Sequence, residues 1–141
     1  MRKIFLIGSA ALSAVVLAVL FWGLVAEKDQ SPGASGAALV EVQVPALEGD
    51  ALAGQGLFRE NCESCHGENA GGRDGIGPPL VHKIYEPGHH ADGSFLLATA
   101  RGVRAHHWPF GDMLPVEGVS QADVEKIVVY VRTLQRANGI N

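Results

Sequence analysis

Asn61-Cys62-Glu63-Ser64-Cys65-His66-Gly67 contains the only two cysteines of this 141-residue chain, three positions apart, with a histidine directly after the second. That pattern is the attachment signature of c-type haem. Each thiol adds across one vinyl group of the porphyrin, so the two sulfurs must stand about one ring edge apart. The residue that follows must turn its imidazole onto the iron. Cys62 and Cys65 are therefore read as the two thioether anchors and His66 as the proximal iron ligand. Two other chemistries use a Cys-x-x-Cys pair. A redox disulfide belongs in βαβ surroundings, and the flanking sequence has no such pattern. A structural zinc site needs two further ligands, and no second cysteine pair exists.

The residues before the motif read as a helix from Asp50 to Asn61, with Asp50 as N-cap and Leu57 and Phe58 on its buried face. Gly54 and Gly56 are costly inside a helix. Their presence points to close approach by another helix. After the motif, residues 71–80 are rich in glycine and proline and form a loop. A proximal imidazole needs a backbone carbonyl to accept its other N–H, and a proline carbonyl of this loop is well placed for that. Leu80 would cover the haem face. A further helix is predicted over residues 92–101, capped by Asp92 and ended by Gly102, with Phe95, Leu96 and Thr99 facing inward. The last helix opens at Ser120 with Asp123 three residues on, close to a capping box. Val124, Ile127, Val128, Val131 and Leu134 follow at helical spacing, with Tyr130 on the rim.

The chain starts Met1-Arg2-Lys3 and then runs apolar, without a charge, through residues 4–26. As a helix that run is roughly 34 Å long, enough to span a bilayer's hydrocarbon core. Arg2 and Lys3 keep the start on the cytoplasmic side, and Trp22 suits the far interface. Residues 1–26 are thus expected to be a membrane anchor, with a cleaved signal sequence as the rival. Residues 27–49 read as a flexible tether and residues 50–141 as the haem domain. The expected location is a bacterial cytoplasmic membrane, crossed once, with the haem domain in the periplasm. A formal net charge of −4 argues against nucleic acid as a partner.

Taken together, Cys62-x-x-Cys65-His66-Gly67, Gly77-Pro78-x-Leu80, a methionine followed shortly by proline, and a last helix carrying Tyr130 resemble the class I cytochrome c family. The resemblance covers residues 50–138. It implies an all-α domain, a small set of helices around one covalent haem c. The first and last helices would cross, with Gly54 or Gly56, Phe58 and Tyr130 at the crossing. Pro78 would offer its carbonyl to His66. Met113, in Gly111-Asp112-Met113-Leu114-Pro115, is expected as the sixth ligand, and it is the only methionine besides Met1. A thioether opposite an imidazole raises the haem potential and closes the iron to other ligands. His106 or His107 is the rival ligand, and a gap-filling methionine is the plain alternative.

Five histidines after the motif depart from that pattern: His82, His89, His90, His106 and His107. One from each adjacent pair, with His82, could form a second site for copper or zinc. Capping and hydrogen bonds to haem propionates are the simpler roles, and Arg101, Arg104 and Trp108 are candidates for the latter. The functional expectation is one-electron transfer between redox protein partners, without catalysis. The alternatives are a haem enzyme or copper-handling protein that uses the histidines, and a haem subunit of a membrane oxidoreductase.

Overall fold

The computed structural model describes residues 36–141. The expected anchor over residues 1–26 and the first part of the tether lie outside the described residues. Among the described residues no helix is long and apolar enough to cross a membrane.

Four α-helices form the domain: α1 (Gly49–Asn61), α2 (Glu63–His66), α3 (Asp92–Arg101) and α4 (Gln121–Ala137). Short 3-10 turns at Glu68–Ala70 and Lys83–Tyr85 lie between α2 and α3. The described residues contain two isolated bridges, Arg73 with Gly77 and Val103 with Met113, and no strand. Helix α4 packs chiefly on α1 and secondarily on α3.

The α1–α4 contact is decided by Gly54. A Cβ built there would lie 2.0 Å from the carbonyl oxygen of Lys126 and 3.0 Å from Tyr130 Cβ. Only hydrogen fits, so α4 backbone sits directly on α1. Gly56 has nothing within 4 Å of the equivalent position and takes no part. Beside the crossing, the rings of Phe58 and Tyr130 meet with centroids 5.5 Å apart at 57°. The pair joins Ala70, Leu80, Val81, Ile127, Val131 and Leu134 in one core cluster. Full burial of a side chain such as Phe58 contributes about 2–3 kcal/mol.

Tyr130 is therefore central to the core and not on its rim, at 1% exposure. Its hydroxyl donates to Asn69 Oδ1 at 3.2 Å, which explains how a polar tip is tolerated there. The capping box of α4 is present, with Ser120 and Asp123 bonding reciprocally. The expected caps of the other two long helices are corrected. Helix α1 starts one residue before Asp50, on Glu48, and neither Glu48 nor the Ala91 cap of α3 makes a side-chain cap bond. Asp50 sits in the first turn, where a carboxylate suits the helix dipole. Asp92 is drawn away from capping by Arg132, whose Nε donates to its Oδ1 at 2.8 Å. Gly102 does end α3, in the left-handed region at φ 73°.

Residues 36–48, expected as part of the tether, are laid along the domain instead. Gly36 N–H donates to Asp74 O at 2.8 Å and Asp74 N–H returns a bond to Ala37 O at 2.8 Å. Val40 N–H donates to Gly71 O at 2.9 Å. Farther on, Asn138 at the end of α4 clasps Gln43: Gln43 N–H donates to Asn138 Oδ1 (2.9 Å) and Asn138 Nδ2 donates to Gln43 O (2.8 Å). Val42 and Leu47 pack on the core.

Candidate functional site: the haem-attachment segment and its surroundings

Cys62 closes α1, and Glu63–His66 continues as the single-turn helix α2. The turn sets Cys62, at its N-cap, and Cys65 three residues apart, with His66 directly after the second cysteine. Its C-terminus is pinned by the glycine-rich loop. A Cβ at Gly77 would stand 2.4 Å from Cys65 O, so the loop can press on the backbone of α2 only because that position is glycine. Arg73, one bridge partner of Gly77, also donates from Nη1 to Ser64 O.

That packing brings Pro78 to His66. The distance from His66 Nδ1 to Pro78 O is 2.9 Å. A carbonyl can only accept, so Nδ1 carries the proton and the lone pair resides on Nε2. Burial pushes the His66 pKa down, and the Pro78 bond opposes this. The neutral imidazole that results is the form a metal binds. Both cysteines are free thiols. Burial, and then the neighbouring Cys65, push the Cys62 thiol up to about 11.

Met113 is held by its backbone. It exchanges two bonds with Val103, each 2.9 Å, and Val116 N–H donates to Thr99 O at 2.9 Å. Gly102 makes this fold of the chain possible, because a Cβ there would lie 2.4 Å from Met113 O. Asp112 Oδ1 accepts from Ala105 N–H at 2.8 Å and closes the loop between the bridge residues. The methionine is thus presented from a fastened loop after α3, away in sequence from the His66 turn.

The remaining candidates divide. Leu80 is buried in the core cluster. Arg101 and Arg104 are exposed and make no ion pair among the described residues. Trp108 lies edge-on to His82, with centroids 5.1 Å apart, and its buried indole N–H, near the Tyr85 hydroxyl, completes no hydrogen bond within 3.5 Å among the described residues. A buried donor left without a partner is costly, and a haem propionate is the kind of acceptor it lacks. This orphaned donor, the two free thiols and the fixed His66 tautomer fit a covalently bound haem.

Residues 51–135 match the family model for cytochrome c. The chain belongs to the cytochrome c family. Members carry haem c through their cysteines, which agrees with the donor set just described. The cytochrome is 37% identical over 94 residues to the Cbb3-type cytochrome c oxidase subunit FixP of Bradyrhizobium sp. (strain ORS 278), over 64% of this chain and 30% of that protein. It is 36% identical over 94 residues to the Cbb3-type cytochrome c oxidase subunit CcoP of Rhodobacter capsulatus, over 64% of this chain and 31% of that one. The chain thus spans under a third of the length of these curated relatives.

The histidines of this cytochrome are arranged differently from the sequence expectation. His82 stays outside any cluster: its Nδ1 accepts from Ile84 N–H at 3.2 Å and caps the Lys83–Tyr85 turn. His89, His90 and His107 come together, with one ring nitrogen of each within 4.8 Å of the others. Both members of the first pair take part, contrary to the expectation of one per pair. The reason is a tight turn, in which His89 N–H and His90 N–H both donate to Glu86 O at 3.0 and 2.8 Å. His106 lies beside the group, its ring centroid 4.2 Å from that of His107 and tilted by 51°, and is tied to Arg104 O at 2.8 Å. Loss of hydration beside the cluster, then the nearby His106, His90 and His89, hold the pKa of the exposed His107 below the ordinary imidazole value.

Sequence reasoning missed what carries this turn. Arg132 and Gln135, 6% and 1% exposed, are buried on α4. Arg132 Nη1 donates to Tyr85 O (2.6 Å), Nη2 donates to His90 O, and its guanidinium lies 5.0 Å above the Phe95 ring. Gln135 Nε2 donates to Leu80 O (2.8 Å) and Tyr85 O (3.0 Å). Both positions continue the apolar stripe of α4 by four residues, from Val128 and Val131. That register was the available signal.

Proposed function

We propose that this cytochrome transfers single electrons between redox protein partners at a bacterial membrane and performs no substrate chemistry of its own. Cys62 and Cys65 would hold haem c, with His66 and Met113 as axial ligands. The bound haem supplies a reversible one-electron couple. The observation that carries the reading is the His66–Pro78 bond at 2.9 Å. It fixes the ring and its tautomer before iron binds and leaves a single nitrogen for the metal.

The fastened Met113 loop supports the second ligand. His107 turns into the His89–His90 group and His106 is tied to its own chain, which favours Met113 over either. Histidine and methionine together raise the potential and leave no open iron position. Trp108 and the cationic Arg101 and Arg104 would hold the propionates. The anchor over residues 1–26 and the periplasmic placement of the haem domain belong to the same proposal.

The test is the matured chain. Haem staining on a denaturing gel must be lost in the double variant Cys62→Ala/Cys65→Ala. Met113→Ala must lose the methionine–iron charge-transfer band and lower the midpoint potential. Retention of that band would remove Met113 from the iron. A second reading is favoured by the relatives: a haem subunit seated in an oxidase complex instead of a freely moving carrier. Stable copurification with oxidase subunits would select it.

A further inference from the structure

Three imidazoles that the haem does not require converge on one point of the surface. We infer that His89, His90 and His107 form a second metal site, for a divalent late first-row cation, zinc or copper.

The geometry is close to what such an ion needs. Nε2 of His89 and Nε2 of His107 are 3.4 Å apart. Two nitrogens each about 2.0–2.1 Å from a tetrahedral ion stand about 3.3–3.4 Å apart, so one edge of the coordination polyhedron already exists. The third ring nitrogen completes a set in which no pair exceeds 4.8 Å. His90 Nδ1 is 2.6 Å from Ile84 O, and the carbonyl can only accept. The lone pair of His90 is therefore on Nε2, and its tautomer is fixed by a backbone partner, the arrangement usual for metal-bound histidine.

The donor set also selects the ion. Three neutral nitrogens and no carboxylate favour zinc, copper or nickel over magnesium or calcium. His89 and His107 are exposed, so the ion has an entry path and a fourth position for water or another ligand.

The site is braced from behind. Arg132 grips the carbonyls of Tyr85 and His90, the residues that bound the His89–His90 turn. The same guanidinium is anchored to Asp92 and to Gln135 Oε1 at 2.7 Å. The other half of the site, His107, belongs to the loop between Val103 and Met113, which their bridge closes. An ion would therefore tie the turn before α3 to the loop that presents Met113.

The experiment uses the haem-loaded full chain, titrated separately with Zn(II) by calorimetry and with Cu(II) by electron paramagnetic resonance. The expected result is one ion per chain, with nitrogen hyperfine structure from imidazoles in the copper form. His89→Ala and His107→Ala alter exposed residues and leave the fold intact. Each should weaken binding by about 100-fold or more, since loss of even an outer-shell partner costs 10–100-fold. His82→Ala, outside the cluster, should bind like the parent. The haem spectrum should be unchanged in all three variants. Parent-like affinity in the triple variant His89→Ala/His90→Ala/His107→Ala overturns the proposal. So does the absence of stoichiometric binding in the parent. A change of haem ligation in His107→Ala also overturns it, because the histidine would then belong to the iron.

Discussion

Replacing Gly54 by alanine tests the helix crossing on which the haem-binding turn rests. The new methyl carbon would begin 2.0 Å from Lys126 O and 2.6 Å from Lys126 C. Both are backbone atoms, so no side chain can swing aside. Ordinary contact starts near 3.4 Å, and α1 and α4 would have to separate by roughly 1 Å. Overpacking of this kind costs about 1–3 kcal/mol. Separation also loosens the Phe58–Tyr130 pair, worth about 0.5–1.5 kcal/mol beyond its buried area. Against this, alanine gains about 1 kcal/mol of helix propensity. The net loss is about 0.5–3.5 kcal/mol. Gly56→Ala in the same helix meets nothing within 4 Å and should keep the whole propensity gain. Denaturant unfolding of the haem-loaded protein, followed by far-ultraviolet circular dichroism, measures both. The two alanines should move stability in opposite directions. If Gly54→Ala were neutral or stabilising, the contact between the two backbones would not be the one described.

Other outcomes follow from single contacts. Arg132→Met should destabilise by about 1–3 kcal/mol through the His90 carbonyl it strands, Tyr85 O keeping its bond from Gln135, and metal titration should show weakened binding as the His89–His90 turn loosens. Gly77→Ala, with its Cβ 2.4 Å from Cys65 O, should reduce the yield of haem-stained protein more than it reduces total expression. The Asp123 carboxyl is held below its usual pKa, chiefly by the Ser120 hydroxyl. A depressed carboxylate stabilises above its unfolded pKa and loses that contribution as pH falls through the folded one. Ser120→Ala should therefore lower the melting temperature at neutral pH by more than it does at pH values below the ordinary aspartate range, as read by thermal melts.

Much of this was legible in the residues because the haem motif constrains its neighbours. The Cys62–His66 spacing has few other uses. The Gly77-Pro78 step, the capping box at Ser120 and the α3 span over residues 92–101 are local signals with local causes. What sequence did not yield depends on contacts between distant segments. Gly54 and Gly56 are indistinguishable until α4 is laid against one of them. Asp92 looks like a cap until Arg132, forty residues on, takes its carboxylate. The Pro87-Gly88 dipeptide marks a turn after Glu86, but which histidines that turn would bring together depends on the distant loop that carries His107. The strap over residues 36–48 was misread because its partners, Gly71, Asp74 and Asn138, are far along the chain.

That strap has a practical corollary for anyone trimming the protein. The family match begins at residue 51 and stops at residue 135. A fragment cut to those limits would lose both jaws of the Gln43–Asn138 clasp and the side chains of Val42 and Leu47. Apolar core now roofed by those residues would be left bare to water. A fragment that keeps these contacts starts before Val42 and ends beyond Asn138.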